Sequence, residues 1–409
     1  MFVFNRGRLL RWSFYSYLIP TLLPIVSYNL NLYNLFFFFS FILLLIDVLI
    51  ISKIHIKILA LLVFITILIR LLYIGQWHLT NSFGTILLLG FEFWYPLIWV
   101  SYIALQKDII ASISFKKISR CFLILYVITC TSTIIGNMRY SIPSRWLATS
   151  IIGGELKSLY RLENIAGFGF SYLILFIVPL LIYLLQKTGQ KKYLVILFLS
   201  YFCAIETQYT SLLLLLVPAT ILGQYMSAKT TSKLIMGVFS FSIVSLIFAN
   251  IQLVFNFLLK AFADYPSILI RVNELYNLFA TSSDLGNDIG ERQRLYTLSI
   301  DSFKNSVLFG TRNPNVIGGH SQVLDLLAAS GLFGATITTT IIFLIYSSIK
   351  PLSFLMDKTE KHVLQLILFL YVVLAFINPI FSSIQLGLVI PIVFILVLAN
   401  KENNKYEIR

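Results

Sequence analysis

Charge is scarce in this chain. Only 12% of its 409 residues are Asp, Glu, Lys or Arg, against roughly 25% in a soluble domain. That excludes an ordinary water-soluble globule. Acidic residues are rarer still, 17 against 31 Lys and Arg, for a net charge of +14. Cysteine is nearly absent. Cys121, Cys130 and Cys203 fall inside apolar runs, without the even count and loop placement of a disulfide framework or the spacing of a metal site. There is no Asp-x-Asp pair for a nucleotide-sugar metal, no glycine loop to cradle a phosphate and no His/Cys cluster. No polar stretch exceeds the segment 259–323, so a separate soluble catalytic domain is not expected. These absences leave no expected cofactor or metal.

What the chain has in abundance is apolar length. Hydrophobic residues make up 58% of it, and the mean hydropathy is +0.88. Apolar runs recur from end to end without the alternation of a β-barrel, which predicts an all-α, polytopic integral membrane protein. The runs place about twelve spans, at 12–28, 35–51, 58–75, 84–105, 120–136, 165–185, 193–206, 209–226, 234–258, 324–348, 363–380 and 384–399. The chain reads as a single transmembrane domain, 1–409. Its basic start, MFVFNRGRLLR, mimics a signal peptide. Pro20 and Pro24 inside the following run, and the lack of a small-residue cleavage site, point instead to an uncleaved first span.

Lys and Arg gather on alternate connections. With the N-terminus inside, every inner segment is basic, from Arg6, Arg8 and Arg11 through Lys187, Lys191 and Lys192 to Lys401, Lys405 and Arg409. The short outer turns NLNLYN, ETQY and NPIFSS carry neither residue, which places both termini in the cytoplasm. The positive charge is therefore topological, with a share for anionic headgroups, and its dispersal argues against nucleic acid.

Two outer loops break the pattern. The loop 137–164 carries Arg139, Arg145, Lys157 and Arg161. The large loop 259–323 carries Lys260, Arg271, Arg292, Arg294, Lys304 and Arg312. Long loops tolerate charge whatever the bias. The alternative is a cationic site for an anionic substrate, because the arginine fork donates paired hydrogen bonds to phosphate. Arg145, Arg161 and Arg312 are candidate diphosphate contacts, and Glu206, at an outer turn with Gln208 and Tyr209, is a further site candidate.

The stretch from Gly290 to Gly334 concentrates the polar chemistry. Arg292 precedes Tyr296 by four, Asp301-Ser-Phe-Lys-Asn-Ser-Val-Leu-Phe-Gly310 follows, and Gly319-His320-Ser321 leads into Val323-Leu-Asp-Leu-Leu-Ala-Ala-Ser-Gly-Leu-Phe-Gly334. Fifteen residues separate Arg294 from Gly310. These features, together with Arg161-Leu-Glu-Asn164 before Gly167, resemble the O-antigen polymerase/ligase family of membrane glycosyltransferases, the Wzy-type polysaccharide polymerases and the lipopolysaccharide O-antigen ligases. The resemblance covers the layout of the whole chain but specific residues over only about 45 positions. One departure stands out. Where relatives carry Ser-Arg before a span, this chain reads Glu206-Thr-Gln-Tyr-Thr-Ser211.

The resemblance implies transfer of glycan from a polyprenyl-diphosphate carrier onto a lipid-linked repeat unit, at the outer face of a bacterial plasma membrane. A ligase would use the same donor with another acceptor. A flippase of lipid-linked oligosaccharide is a rival reading, and a membrane O-acyltransferase a weaker one. A chain-length regulator and a flippase would be partners, beside the lipid bilayer itself. Arg292 and Arg294 would hold the leaving diphosphate. They lie two apart, so on a helix they point about 200° apart, and one of them would meet headgroups or an acid such as Glu291. His320 would accept or position the proton of the attacking hydroxyl. Asp325 would orient His320, pair with a basic residue or act as base itself. Among the remaining intramembrane polar residues, Arg70 is expected to snorkel outward, Asp47 to lie at a different depth from it, and Glu92 to line a sugar cavity or form a packing pair.

Overall fold

The computed structural model describes residues 5–51, 56–73, 91–140, 143–147, 154–228, 250–261, 288–311 and 313–406, with isolated positions between 263 and 276. Among these residues every regular element is a helix. The principal ones are α1 (Arg6–Leu22), α2 (Leu30–Ile46), α3 (Ile56–Tyr73), α4 (Phe91–Leu105), α5 (Phe115–Arg139), α6 (Gly154–Leu162) and α7 (Phe168–Thr188). They are followed by α8 (Lys191–Thr207), α9 (Thr210–Ser227), α10 (Ile251–Ala261), α11 (Asp288–Asn305), α12 (Gln322–Ser353), α13 (Lys358–Ile377) and α14 (Val389–Tyr406).

Six described helices are long and apolar enough to cross a membrane: α2 with its extension to Leu49, α5, α7, α9, α12 and α13. The protein is thus a helical, membrane-embedded bundle. Helices are what this environment demands, because they satisfy their own backbone hydrogen bonds where no water is present. The expected ninth span, 234–258, lies largely outside the described residues; only its end, in α10, is described.

The helices divide by burial. α7 is apolar all round and buried continuously from Gly169 to Leu184; α4 buries residues on every face, including Trp94 and Trp99. A helix without a polar face belongs at the centre of a bundle. The outer helices instead show large side chains to the surroundings, such as Phe38, Ile124, Phe198, Phe343 and Phe369, as lipid-facing helices must.

One end of the bundle is held by ion pairs. Arg6 on α1 makes a bidentate pair with Asp47 at the end of α2 (2.9 and 3.0 Å), and the Tyr102 hydroxyl of α4 donates to the same carboxylate. Asp47 is fully buried and Arg6 is 25% exposed. Its partner is therefore Arg6; the Arg70 side chain lies outside the described residues. Glu360 of α13 is also fully buried, accepting from Tyr183 (2.8 Å) and pairing with Lys401 (2.7 Å), while Lys187 pairs with Asp357 (2.7 Å). Glu402 accepts from the backbone N–H of Phe115 (2.9 Å). These contacts collect the starts of α1, α5 and α13 and the ends of α2, α4 and α7 at one basic end, with both Arg6 and Lys401.

Candidate functional site

The opposite end carries the Gly290–Gly334 stretch, and α11 organises it. Residues 291, 295, 299 and 302 follow helical spacing, so they share a face. That face meets the turn before α12. Leu295 packs so closely on Gly318 that a Cβ there would lie 2.1 Å from the Leu295 carbonyl oxygen. The Ser299 hydroxyl donates to Asp325 Oδ1 (2.6 Å) and accepts from the N–H of Gly318 (2.9 Å), and Ser302 donates to the Val316 carbonyl.

Asp325 lies in the first turn of α12, where its charge meets unsatisfied helix N–H groups rather than hydrocarbon. Besides Ser299 it accepts from the N–H of Gly319 (3.2 Å) and of Ser321 (2.9 Å). Its two oxygens therefore grip the backbone on both sides of His320. Of the three roles considered from sequence, this geometry suits orientation of His320, and no ion pair engages Asp325 among the described residues. His320 is half-buried, and its ring lies within electrostatic reach of Glu291.

The turn after α11 is stitched into a break in α12. Gly331 adopts φ +60° inside the helix. The N–H groups of Leu332 and Phe333 donate to the carbonyls of Val307 (2.9 Å) and Leu308 (3.0 Å), and Thr311 donates to the freed carbonyl of Ala328 (2.8 Å). Gly310 has φ +69°, and a Cβ at either glycine would fall 2.3–2.5 Å from the other strand's backbone. Gly310, which closes Leu308-Phe309-Gly310, and Gly331, which precedes Leu332-Phe333, are thus required by backbone approach as well as by φ. This stitch fixes α11 against α12 and so fixes what α11 presents.

α11 presents its two arginines differently. Arg294, 62% exposed, forms a bidentate pair with Glu291 (2.8 and 2.7 Å), which holds the Glu291 carboxyl below its usual range. Arg292 turns to the next face with Tyr296. It is half-buried, no carboxylate pairs with it among the described residues, and its charge reaches the Tyr172 hydroxyl of α7. Tyr172 is bonded to Ser211 at the start of α9. Tyr296 donates to the Ile377 carbonyl (3.0 Å). Asn378, 2% exposed, turns its side chain toward the Tyr172 hydroxyl. A cation, three hydroxyls and a buried amide therefore gather where α7, α9, α11 and the end of α13 converge.

The remaining candidates sit apart. Tyr209 packs at a tilt against Tyr172 (ring centroids 5.7 Å) and donates to the Ser144 carbonyl (2.7 Å), which brings the short helix Pro143–Trp146, and Arg145 with it, to the edge of this region. Arg161 is exposed on α6, whose neighbours are Pro24–Tyr28 and Pro143–Trp146 rather than α11. Glu206 is half-buried at the end of α8 without a described polar partner. Arg312 lies outside the described residues. Glu92 faces the Tyr33 hydroxyl. No group of three or more potential metal ligands forms among the described residues.

Sequence reasoning missed Tyr172, Ser211, Ser299 and Asn378. Ser211 ends the segment Glu206–Ser211, and it bonds the Tyr172 hydroxyl that the Arg292 charge reaches. No protein-family model and no curated protein matches this chain.

Proposed function

We propose that the protein is a membrane glycosyltransferase of the polysaccharide polymerase type. It transfers glycan from a polyprenyl-diphosphate carrier to a hydroxyl of a lipid-linked repeat unit, at the outer face of a bacterial plasma membrane. The observation that carries this reading is Arg292, a half-buried cation set among Tyr172, Tyr296 and Asn378 rather than against a carboxylate. A fixed cation in a poorly hydrated site stabilises the charge of a departing diphosphate. The acceptor oxygen forms the new bond to the anomeric carbon as the bond to diphosphate breaks. Its proton passes to His320, which Asp325 holds in place through the backbone on either side. Diphosphate leaves as the anion and needs no general acid. Twelve crossings with both termini cytoplasmic belong to the same reading, supported by the gathering of Arg6 and Lys401 at the basic end.

The test is the lipid-linked glycan profile of a strain lacking the protein, complemented with wild type, Arg292→Ala or His320→Ala. Single repeat units that become a ladder only with wild type support the reading. Full-length polymer retained on the carrier indicates a ligase instead. Repeat units trapped on the cytoplasmic leaflet indicate a flippase and overturn it.

A further inference from the structure

A second feature lies at the other end of the bundle, away from the loop. A cleft of about 380 Å³ opens between α5 and α8 and is floored by the end of α14. That volume falls in the range of ligand pockets, roughly 300–1,000 Å³. Its mouth carries Lys116 and Arg120 from α5 and Lys192 from α8. The three side chains are exposed, and no described carboxylate pairs with any of them. Glu402, the nearby acid on α14, directs its oxygens to the backbone N–H groups of Phe115 and Lys116.

Two observations separate this cluster from the general basic bias of that end. First, the cations feel one another: burial, then Arg120 and Lys116, push the Lys192 ammonium below its usual range. Elsewhere at this end Arg6, Lys187 and Lys401 are each neutralised by an acid. Second, Asn400, 4% exposed, lines the cleft with an Nδ2 that has no hydrogen-bond partner. A buried amide donor without a partner costs about 1–3 kcal/mol, so an acceptor is missing at that point. Below the polar mouth the walls are aliphatic, with Leu123, Val127 and Ile196.

We propose that this cleft binds one anionic glycerophospholipid from the leaflet at the basic end. Its phosphate lies among Lys116, Arg120 and Lys192 and accepts from Asn400, and an acyl chain lies along Leu123, Val127 and Ile196. Basic pockets between membrane helices suit such headgroups because the phosphate neutralises cations that otherwise repel one another. The site is independent of the glycosyltransferase reading.

The experiment uses the purified full-length chain in neutral detergent. Thermal unfolding is followed with phosphatidylglycerol, phosphatidylcholine or inorganic phosphate, and tightly bound lipid is counted by native mass spectrometry. Phosphatidylglycerol is expected to raise the Tm by about 5 °C near saturation, and wild type to retain about one such lipid per chain. A triple Lys116→Gln, Arg120→Gln, Lys192→Gln variant is expected to lose both effects. Lys350→Gln with Lys361→Gln, a pair of lysines elsewhere at the same end, is expected to keep them. An equal shift with phosphatidylcholine means only apolar solvation, and a full shift with inorganic phosphate alone means a free-anion site. Either result overturns the proposal. So does an undiminished response in the triple variant, or no retained lipid in wild type, which is read without any variant.

Discussion

The two ends of the bundle handle charge in opposite ways. At the basic end, Arg6, Lys187 and Lys401 are matched to Asp47, Asp357 and Glu360, and two of the three acids are fully buried. At the loop end the matched pairs, Arg294 with Glu291, Lys304 with Asp301 and Arg139 with Glu163, all use exposed cations, while half-buried Arg292 pairs with no described carboxylate and its charge reaches the Tyr172 hydroxyl. The difference teaches which charges hold the molecule and which are kept for a ligand. A buried charge with a partner is structural, because removing either member strands the other in a poor solvent. A partly buried cation without a carboxylate keeps its field for something outside the chain. The Lys116, Arg120 and Lys192 cluster, exposed at the mouth of its cleft, likewise has no described carboxylate against it.

The comparison is sharpened most by Arg292→Ala. Removing a preorganised cation is expected to lower polymer formation by roughly 10²–10³-fold, with the melting temperature of the purified protein unchanged. A large loss of Tm would make Arg292 structural and erase the contrast between the ends. Asp47→Ala is the mirror experiment. It strands Arg6 and is expected to cost about 3–5 kcal/mol in stability, read by thermal unfolding, while the activity per folded molecule stays near wild type.

Gly331→Ala is expected to act between these limits. The new Cβ meets the Leu308 backbone at 2.5 Å, and φ is +60°. The break in α12 must shift, at a backbone strain of about 1–3 kcal/mol, and polymer formation falls with it because α11 loses its anchor. Retained activity with an unchanged Tm would show that the stitch does not position the site.

The smallest effect is expected from Arg294→Ala. Glu291 is depressed by its hydrogen bonds to Arg294, with His320 contributing. A depressed carboxyl favours the folded state above its unfolded pKa, near 4.5, and that contribution fades as the pH falls through the lower folded value. At neutral pH the variant should therefore make polymer within about threefold of wild type, as suits an exposed ion pair. Titration of Glu291 by NMR should move up toward the ordinary carboxylate range. An Arg294→Ala effect as large as that of Arg292→Ala would mean that both faces of α11 serve the substrate.

Much of this was legible in the residue order. Two arginines two apart point to different faces of a helix, and here Arg294 is the one that meets Glu291. The glycines before His320 marked a close turn. Other features were not legible. Asp325 reads from sequence as a carboxylate inside an apolar run, yet α12 begins at Gln322, two residues before the expected span, and Asp325 in its first turn clamps the His320 turn. Arg6 and Asp47 are 41 positions apart, and no local pattern links a basic N-terminal residue to an acid at the end of the next helix. Tyr172 sits in an apolar run and Asn378 in the outer turn NPIFSS, and nothing in either segment points to the other.

The sequence by itself determined that this chain is helical and membrane-embedded, because sustained apolar length admits only structures that satisfy their own backbone in lipid. It also concentrated the polar chemistry in one late segment. Tertiary structure decided which charges are cancelled and which are left, because pairing depends on helices that meet in space and not on their spacing along the chain. Arg6 and Tyr102, which meet Asp47, and Tyr183 and Lys401, which meet Glu360, come from other helices, and only the packed bundle brings those helices together.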